Sequence, residues 1–573
     1  MSTDISGTRS STKGHANASR PPNLILVMTD DQGYGDLGCT GNPWIQTPNL
    51  DDFFVECARL EDFHVSPLCT PTRGAIMTGR NPLRNGAWAT CWGRSILRKD
   101  EVTMADVFAQ NGYRTGMFGK WHLGDNYPYR PQDRGFETVA AHKGGGVGQT
   151  PDFWGNSYFD DTYFHNSEPT KHEGYCTDIW FDEAMKFIEE HRDEPFFCYL
   201  ATNAPHSPYL VAEEYTALYR DNPEIPEPAF YGMITNIDEN MGRLVGFLED
   251  LELAEDTILI FMTDNGSSGG WFEPQGRGYN AGMRGKKGSY YEGGHRVPFF
   301  IRWPAGGIPA GVDIRELITH MDLLPTFIEL CGLDKPEHEP FDGVSVAPLL
   351  RGEPMSLPPR EVFVQYRQYT EPPEKWTNAV MSRDWRLIEG QELYYMPADP
   401  GQRNDVAEHY PDVLRRLRLA HERWWDEVSP GLTEYCPISI GSDEENPTCL
   451  CAMDVMGDVA WNQPHIRAAQ ESTGKWAVYV ERDGEYELSL RRWPSELGLP
   501  VDAELPDEES TAIRPARARL KIAGIDEMAD VPPGAQAATF TVHLKAGRVD
   551  LEAWFIEDGG EPRGAYYVYA ERK

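Results

Sequence analysis

Four short apolar runs in the first half of the chain each end abruptly in polar residues, and this repeated pattern constrains the fold most. Each run is six to eight residues long, the length of a strand that is buried on both faces. The runs and the polar residues that follow them are 23–29 with Asp30 and Asp31, 114–119 with Lys120 and His122, 195–202 with Asn203 and His206, and 257–263 with Asp264 and Asn265. A polar group is therefore predicted at the carboxyl end of each strand.

Helical patterns lie between these runs, at residues 103–111, 177–191 and 231–251, where apolar residues recur at intervals of three and four. Alternation of strands and helices predicts an α/β fold whose large, mostly parallel sheet is sandwiched by helices. Ligands of such sheets bind beyond the carboxyl ends of the strands. We therefore expect the four polar groups to converge at one edge of the sheet.

The rest of the chain predicts a second, smaller part. At 573 residues the chain exceeds one ordinary domain. Strands are expected at 297–303 and 361–366 and a helix at 411–428, after which alternating segments predict antiparallel strands at 476–481, 486–491, 516–522, 539–544, 549–556 and 565–571. The predicted division is a disordered leader at 1–22, a catalytic domain at 23–433, a linker at 434–463 and a β-rich domain at 464–573. The last is expected to shape the cleft as a packing lid or, alternatively, to bind sugar.

Composition narrows the class of function. Forty per cent apolar residues with 12% aromatic residues is typical of a globular protein. The formal net charge of −37 argues against nucleic acid as a partner, because phosphate backbones are bound by clusters of Lys and Arg. Residues 1–22 show no signal peptide and no membrane-spanning run follows, so the expected location is cytoplasmic without membrane attachment, or periplasmic or secreted if a native leader has been removed.

The segment Cys69-Thr70-Pro71-Thr72-Arg73 places a cysteine at a predicted helix start, because proline is favoured in a first helical turn. A helix N-terminus offers unpaired amide donors and a favourable dipole for an anionic group. By itself the cysteine is more typical of a buried structural thiol.

The same five residues resemble the signature of type I sulfatases, in which a formylglycine-generating enzyme oxidises the cysteine to formylglycine. The resemblance is carried by an ordered set of motifs over residues 22–405. They are Asp30-Asp31, the CTPTR segment, Gly119-Lys120-Trp121-His122-Leu123-Gly124, Ala204-Pro205-His206, Asp264-Asn265-Gly266, Gly285-Lys286-Lys287-Gly288-Ser289, Glu292-Gly293-Gly294, and Glu392 to Tyr395 with Asp399-Pro400 and Asn404. The resemblance implies an alkaline phosphatase/sulfatase-like fold and hydrolysis of sulfate esters to alcohol and inorganic sulfate.

A metal site is expected among hard oxygen donors. Asp30, Asp31, Asp264 and Asn265 suit Ca²⁺, with Mg²⁺ or Mn²⁺ as alternatives, and suit zinc poorly. An oxygen of the modified Cys69 would join them. Taken singly, each pair is as typical of a loop or a helix cap.

The resemblance also implies a role for each catalytic residue. The modified Cys69 attacks sulfur and becomes covalently sulfated, Arg73 supports it, Lys120 and Lys287 hold sulfate oxygens, His206 protonates the leaving alcohol, and His122 removes the proton whose loss expels sulfate. Lys287 is preferred to Lys286 because it precedes Gly288-Ser289.

The substrate is expected to be a sulfated small molecule or carbohydrate, and the oligomeric state is left open. Loops near the strand ends supply candidate substrate contacts, which are equally well explained as packing residues: His142, Trp154, Trp271, His295 and Arg296. Two other functions fit the same residues. One is a phosphonate monoester or phosphodiester hydrolase with the same nucleophile, and the other is a non-catalytic protein that binds sulfated glycans.

Overall fold

The computed structural model describes residues 20–335, 337–506 and 508–573. The leader predicted at 1–22 lies almost entirely outside these residues. Within the described part of the chain, every helix is too short or too polar to cross a lipid bilayer.

Residues 20–433 form the larger part of the molecule. In chain order its strands are β1 (Asn23–Thr29), β2 (Ala58–Leu60), β3 (Phe63–His64), β4 (Arg114–Lys120), β5 (Thr138–His142), β6 (Thr162–His165), β7 (Glu168–Lys171), β8 (Phe196–Ala201), β9 (Thr257–Thr263), β10 (Trp271–Phe272), β11 (Arg277–Gly278), β12 (Phe299–Arg302), β13 (Asp313–Ile314), β14 (Ile318–Thr319), β15 (Val362–Gln365), β16 (Asn378–Ser382), β17 (Trp385–Ile388) and β18 (Glu392–Tyr395). Its helices are α1 (Pro48–Glu56), α2 (Cys69–Thr78), α3 (Pro82–Asn85), α4 (Met104–Gln110), α5 (Cys176–Glu190), α6 (Glu213–Ala217), α7 (Pro228–Asp250), α8 (Glu292–His295), α9 (Leu323–Cys331), α10 (Ala347–Leu350) and α11 (Pro411–Val428).

The predicted central sheet is confirmed. It has ten strands in the order β13-β2-β12-β9-β1-β8-β4-β5-β6-β7, and β9, β1, β8, β4 and β5 run parallel. The apolar runs are continuous because both faces of the sheet are covered: along β1, Leu24 and Leu26 pack into one core, whereas Ile25 and Val27 pack into the core on the other face. The sheet therefore fixes four neighbouring strand ends in one row.

A second sheet has four antiparallel strands in the order β15-β16-β17-β18. Helix α11 packs on it through Leu417, which belongs to one buried apolar cluster with Val380, Leu387 and Leu393. The sequence predicted β15 and α11 but not the three strands between them, which are four or five residues long.

The linker predicted at 434–463 is wrong. Three short strands of this segment belong to the two sheets of the C-terminal part, ordered β19-β22-β27-β24-β25 and β20-β29-β23-β26, with β21 paired to β22 and β28 to β27. We call residues 434–573 the C-terminal module. Its elements are β19 (Ile438–Ile440), β20 (Thr448–Cys451), β21 (Met456–Asp458), α12 (Gln463–Arg467), β22 (Thr473–Val480), β23 (Gly484–Arg491), β24 (Pro515–Ile522), β25 (Ile525–Asp530), β26 (Ala538–Leu544), β27 (Gly547–Glu557), β28 (Arg563–Gly564) and β29 (Tyr567–Arg572).

The six strands predicted in the β-rich part are confirmed as β22, β23, β24, β26, β27 and β29. These strands could be predicted from their alternating pattern: in β26, residues alternate strictly between buried and exposed. The segment 434–463 escaped prediction because strands of three or four residues carry too few alternations to be recognised.

Candidate active site

Three strand ends bring the predicted polar residues together. Strand β1 leads into Asp30 and Asp31, and its neighbour β9 leads into Asp264 and Asn265, with Thr29 and Thr263 in register. Lys120 is the last residue of β4, which lies on the far side of β8. The expected convergence at the carboxyl edge of the sheet is confirmed.

Helix α2 begins at Cys69, as the proline at position 71 predicts, and all its residues are buried. The Cys69 thiol lies at this helix start, within 4.8 Å of carboxylate oxygens of Asp30 and Asp264. One turn later, Arg73 donates from Nη2 to Asp264 Oδ2 at 2.8 Å and from Nη1 to the Lys120 carbonyl at 2.9 Å. Arg73 thereby ties the helix to two strand ends.

Two lysine–carboxylate pairs complete the surroundings of Cys69. Lys120 Nζ lies 2.6 Å from Asp30 Oδ2, and both side chains are fully buried. Lys287 Nζ lies 2.6 Å from Asp31 Oδ1. Three carboxylates and three cationic side chains thus cancel in formal charge, so a divalent cation bound here would make the site positive and suited to an anionic substrate.

Lys287 was preferred to Lys286 on sequence grounds, and the structure places the two apart. Lys286 Nζ lies over the Phe272 ring, 5.9 Å from its centroid, whereas Lys287 reaches Asp31.

The oxygen donors of the site fit a hard divalent cation. Asp30 Oδ1 and Asn265 Oδ1 are buried and have no hydrogen-bond partner among the described residues. A buried oxygen without a donor is costly, and Ca²⁺ and Mg²⁺ bind such oxygens. Burial raises the pKa of Asp264 to about 7, and the negative charge of Asp30 adds to the rise.

The two predicted catalytic histidines are held by backbone carbonyls that fix which nitrogen can exchange a proton. His206 Nδ1 lies 2.6 Å from the Ser207 carbonyl, and its Nε2 lies 3.7 Å from Asp31 Oδ2. His122 Nε2 lies 3.0 Å from the Thr90 carbonyl, while its Nδ1 has no partner in the described part of the chain. Burial lowers the pKa of His206 to about 4, and burial followed by repulsion from Lys120 lowers that of His122 well below its ordinary value.

Comparison with models of protein families shows the family to which this chain belongs. The model of the family described as Sulfatase matches residues 22–333, which is more than half of the chain. The chain belongs to the sulfatase family. A second model, described as N-sulphoglucosamine sulphohydrolase, C-terminal, matches residues 285–421 of this sulfatase. The family hydrolyses sulfate esters, and so does this enzyme; the family is generally metal-dependent and uses formylglycine.

Comparison with individual proteins gives the same assignment to the sulfatase family. This sulfatase is 29% identical to N-acetylgalactosamine-6-sulfatase of Sus scrofa, over 73% of this chain and 88% of the relative. It is 33% identical to arylsulfatase A of Homo sapiens, over 62% of this chain and 72% of the relative. The crystal structure of Ps i-CgsB superposes with a TM-score of 0.63 at 29% identity, covering 71% of this chain and 93% of that one.

Three of the five candidate substrate contacts, which stay predictions, have side chains that make contacts within the protein. Trp154 packs edge-on against Trp493 of the C-terminal module, with ring centroids 5.3 Å apart. His295 is fully buried, and its ring nitrogens face His64 and the Tyr290 carbonyl. Arg296 donates twice to the Glu61 carbonyl.

His142 and Trp271 stay predictions. His142 ends β5 and pairs in register with Lys120, and its Nε2 has no partner among the described residues. The indole nitrogen of Trp271, on the short strand β10, likewise lacks a partner in the described ranges.

Sequence reasoning missed the residues that position the histidines. Tyr158 donates its hydroxyl to the His206 carbonyl at 3.0 Å. Gly145 lies so close to His122 that an added Cβ would stand 2.3 to 2.8 Å from three ring atoms. These contacts depend on loop conformation, for which the sequence carries no periodic signal; the glycine run at 144–146 was the one available hint.

Proposed function

We propose that this sulfatase cleaves carbohydrate sulfates, that residue 69 acts as formylglycine, and that Ca²⁺ occupies the oxygen-donor site. One observation supports this most strongly: Cys69 lies at a buried helix start among three cation–carboxylate pairs and two buried oxygens that lack partners in the described ranges. The names of two relatives, N-acetylgalactosamine-6-sulfatase and Ps i-CgsB in complex with k-i-k-neocarrahexaose, support a carbohydrate substrate.

Asp30, Asp31, Asp264 and Asn265 would hold the ion. Four protein oxygens favour Ca²⁺, because Mg²⁺ usually keeps several waters and takes fewer protein ligands. When bound, the ion would neutralise negative charge on the nucleophile and on a sulfate oxygen.

Oxidation of Cys69 would have to precede folding. The thiol is 2% exposed and Arg73 is fully buried, so a maturation enzyme cannot reach the Cys-x-Pro-x-Arg motif in the folded chain. A formylglycine-generating enzyme is therefore proposed to act on the nascent chain. The resulting aldehyde, once hydrated, supplies a hydroxyl nucleophile that a thiol does not.

Lys120 and Lys287 would stabilise the sulfate group. Each ammonium carries three N–H donors, so each can keep its carboxylate partner and also donate to a sulfate oxygen. Donors fixed in a buried site stabilise developing charge without having to reorganise.

The two histidines would move protons in opposite directions. The Ser207 carbonyl accepts the Nδ1 proton of His206, so Nε2 faces the exchange with the leaving alcohol. An anionic sulfate nearby raises the pKa of His206 and favours the protonated form that a leaving alkoxide needs. His122 donates from Nε2 to the Thr90 carbonyl, which leaves Nδ1 as a base with a lone pair available.

Matched assays test the proposal. The purified enzyme should hydrolyse 4-nitrophenyl sulfate with a higher kcat/KM than the corresponding phenylphosphonate monoester. Faster turnover of the phosphorus ester would identify the site as that of a phosphonate monoester hydrolase. A panel of sulfated oligosaccharides from chondroitin sulfate, heparan sulfate and carrageenan tests the carbohydrate class, and release of inorganic sulfate is the readout.

A further inference from the structure

A cavity of about 510 Å³ opens beside His206, a size typical of sites for small molecules. Three segments line it: the loop from Gly146 to Tyr158, the turn from His206 to Leu210, and residues 461–467 with Glu508 of the C-terminal module. A wall of the cavity next to a catalytic histidine therefore comes from outside the segments that match the family models, which end at residue 421.

The module wall is fixed to the loop by hydrogen bonds. Gln463 is buried, and its Nε2 donates to the carbonyls of Gln149 and Phe153 at 3.3 and 3.2 Å. Its Oε1 accepts from Gly155 N at 3.0 Å, and its backbone N donates to the Gly148 carbonyl at 3.2 Å. Trp461 O accepts from Thr150 N at 3.1 Å. Such a network holds residues 461–467 in one position relative to the loop.

Gly146, the first residue of this loop, and Gly145 before it lie close to the two catalytic histidines. Gly145 packs against the His122 ring, and a Cβ at Gly146 would stand 3.7 Å from His206 Nδ1. The loop that lines the cavity is thus in contact with the C-terminal module on one side and lies close to the catalytic histidines on the other.

Two large apolar side chains that line this cavity, Trp461 and Leu210, are exposed, and Trp461 is the aromatic one. Its indole is 38% exposed, and it contacts His465 edge-to-face with centroids 4.9 Å apart. Arg467 and Glu508, which form an ion pair, line the same cavity. A flat aromatic surface beside a carboxylate and a guanidinium matches a sugar ring, whose C–H face is apolar and whose hydroxyls donate and accept hydrogen bonds.

We propose that Trp461, together with the Arg467–Glu508 pair, forms a subsite for a sugar ring of the substrate, so that the C-terminal module takes part in substrate selection. This inference rests on the proposed function, because His206 protonates the leaving alcohol there. Because His206 lines this cavity, we place the alcohol part of the ester in it. That part is the sugar, and Trp461 is placed to stack on it or on its neighbour in an oligosaccharide.

The test compares a large and a small substrate. Trp461→Ala should lower kcat/KM about tenfold for the sulfated oligosaccharides that the wild type hydrolyses, a loss expected for one aromatic contact. Hydrolysis of 4-nitrophenyl sulfate should change less than about twofold, because an aryl group at the nucleophile is too small to reach the subsite. Trp461→Phe, which keeps a ring, should recover most of the loss.

Trp554→Ala is the matched control, because Trp554 is a half-buried tryptophan on β27 that does not line the cavity. If Trp461→Ala fails to fold, judged by thermal unfolding, Trp461→Gln replaces it. Equal losses on both substrates, or no loss on the oligosaccharide, would overturn the subsite. Hydrolysis of the aryl sulfate with no activity on any oligosaccharide would also overturn it. Failure of the wild type on every sulfate ester would instead overturn the proposed function.

Discussion

Two clusters of buried charged residues, one that contains His64 and one that contains Cys69, differ in how their charges are paired. The catalytic cluster consists of Asp30, Asp31, Cys69, Arg73, Lys120, Asp264 and Lys287. The second, which we call the anchor cluster, consists of Asp62, His64, Glu292, His295 and Arg386. Both are almost fully withdrawn from solvent apart from Asp62 and Lys287, whose side chains are 20% and 22% exposed.

In the anchor cluster one guanidinium serves both carboxylates. Arg386 donates to Glu292 Oε1 at 2.7 Å and to Asp62 Oδ1 at 3.0 Å. His64, Glu292 and His295 could by their spacing hold a metal ion, and Arg386 already bonds one of the two oxygens of their carboxylate. The anchor cluster, in which Glu292 Oε2 also has no partner among the described residues, joins β3, α8 and β17.

In the catalytic cluster each cation has its own carboxylate, and two further oxygens have no partner among the described residues. The lesson is that burial of charge alone does not mark a site. A functional site is marked by unpaired polar atoms that lie close to a reactive atom, here the Cys69 sulfur. Mutation should consequently lower activity in the catalytic cluster and lower stability in the anchor cluster.

The largest effect is expected at the nucleophile. Cys69→Ala should lower kcat by about 10⁴-fold or more, as removal of a catalytic nucleophile does elsewhere. The midpoint of thermal unfolding should stay close to that of the wild type, because the change is small and removes no charge pair. Cys39→Ala, at a half-buried thiol away from the cluster, is the control and should keep full activity. Substantial turnover by Cys69→Ala would remove the assigned nucleophile.

Removal of the metal comes next. Dialysis against a chelator should lower kcat at least about 100-fold, because an ion in this position stabilises several kcal/mol of developing charge. Added Ca²⁺ should restore the rate and raise the midpoint of thermal unfolding, since a ligand bound to the folded state stabilises it. An unchanged rate in protein whose metal content is below detection would contradict the oxygen-donor site.

The anchor cluster should behave in the opposite way. Arg386→Met leaves Glu292 and Asp62 without their shared cation, and we expect the free energy of unfolding to fall by about 3 kcal/mol. The folded fraction should retain kcat/KM for 4-nitrophenyl sulfate within about threefold. Chemical denaturation and activity per folded molecule measure the two effects. Loss of catalysis without loss of stability would erase the distinction between the clusters.

The smallest expected effect concerns the positioning of His122. Gly145→Ala places a Cβ against the imidazole ring, so the ring must move, and kcat should fall about tenfold. The KM for 4-nitrophenyl sulfate should change little. Gly246→Ala, on α7 with open space around an added Cβ, is the control and should be neutral. A wild-type kcat in Gly145→Ala would show that the ring position is not critical.

Much of the fold was predictable because its central strands are buried on both faces. Continuous apolar runs such as 23–29 are unambiguous, and the strict alternation of β26 is equally so. Short strands such as β19 and β21 were not predictable, since three residues give no period. The acid-rich edge strand β25 also escaped, because it carries few β-forming residues.

The residues of the catalytic cluster could be predicted because each follows a recognisable strand or helix start. Substrate contacts could not, because they depend on which loop faces which. Trp154 and Trp461 illustrate this: nothing in the sequence shows that the first packs on Trp493 while the second stays exposed in the cavity.

The most direct test of the account is the mass of the tryptic peptide 60–73, in which residue 69 is the sole cysteine. In enzyme with measured sulfatase activity, the peptide should be lighter than its cysteine form by about 18 Da, the change expected for oxidation of the thiol to an aldehyde. Fully active enzyme whose peptide retains the unmodified cysteine would contradict the claim that residue 69 is the centre of the site.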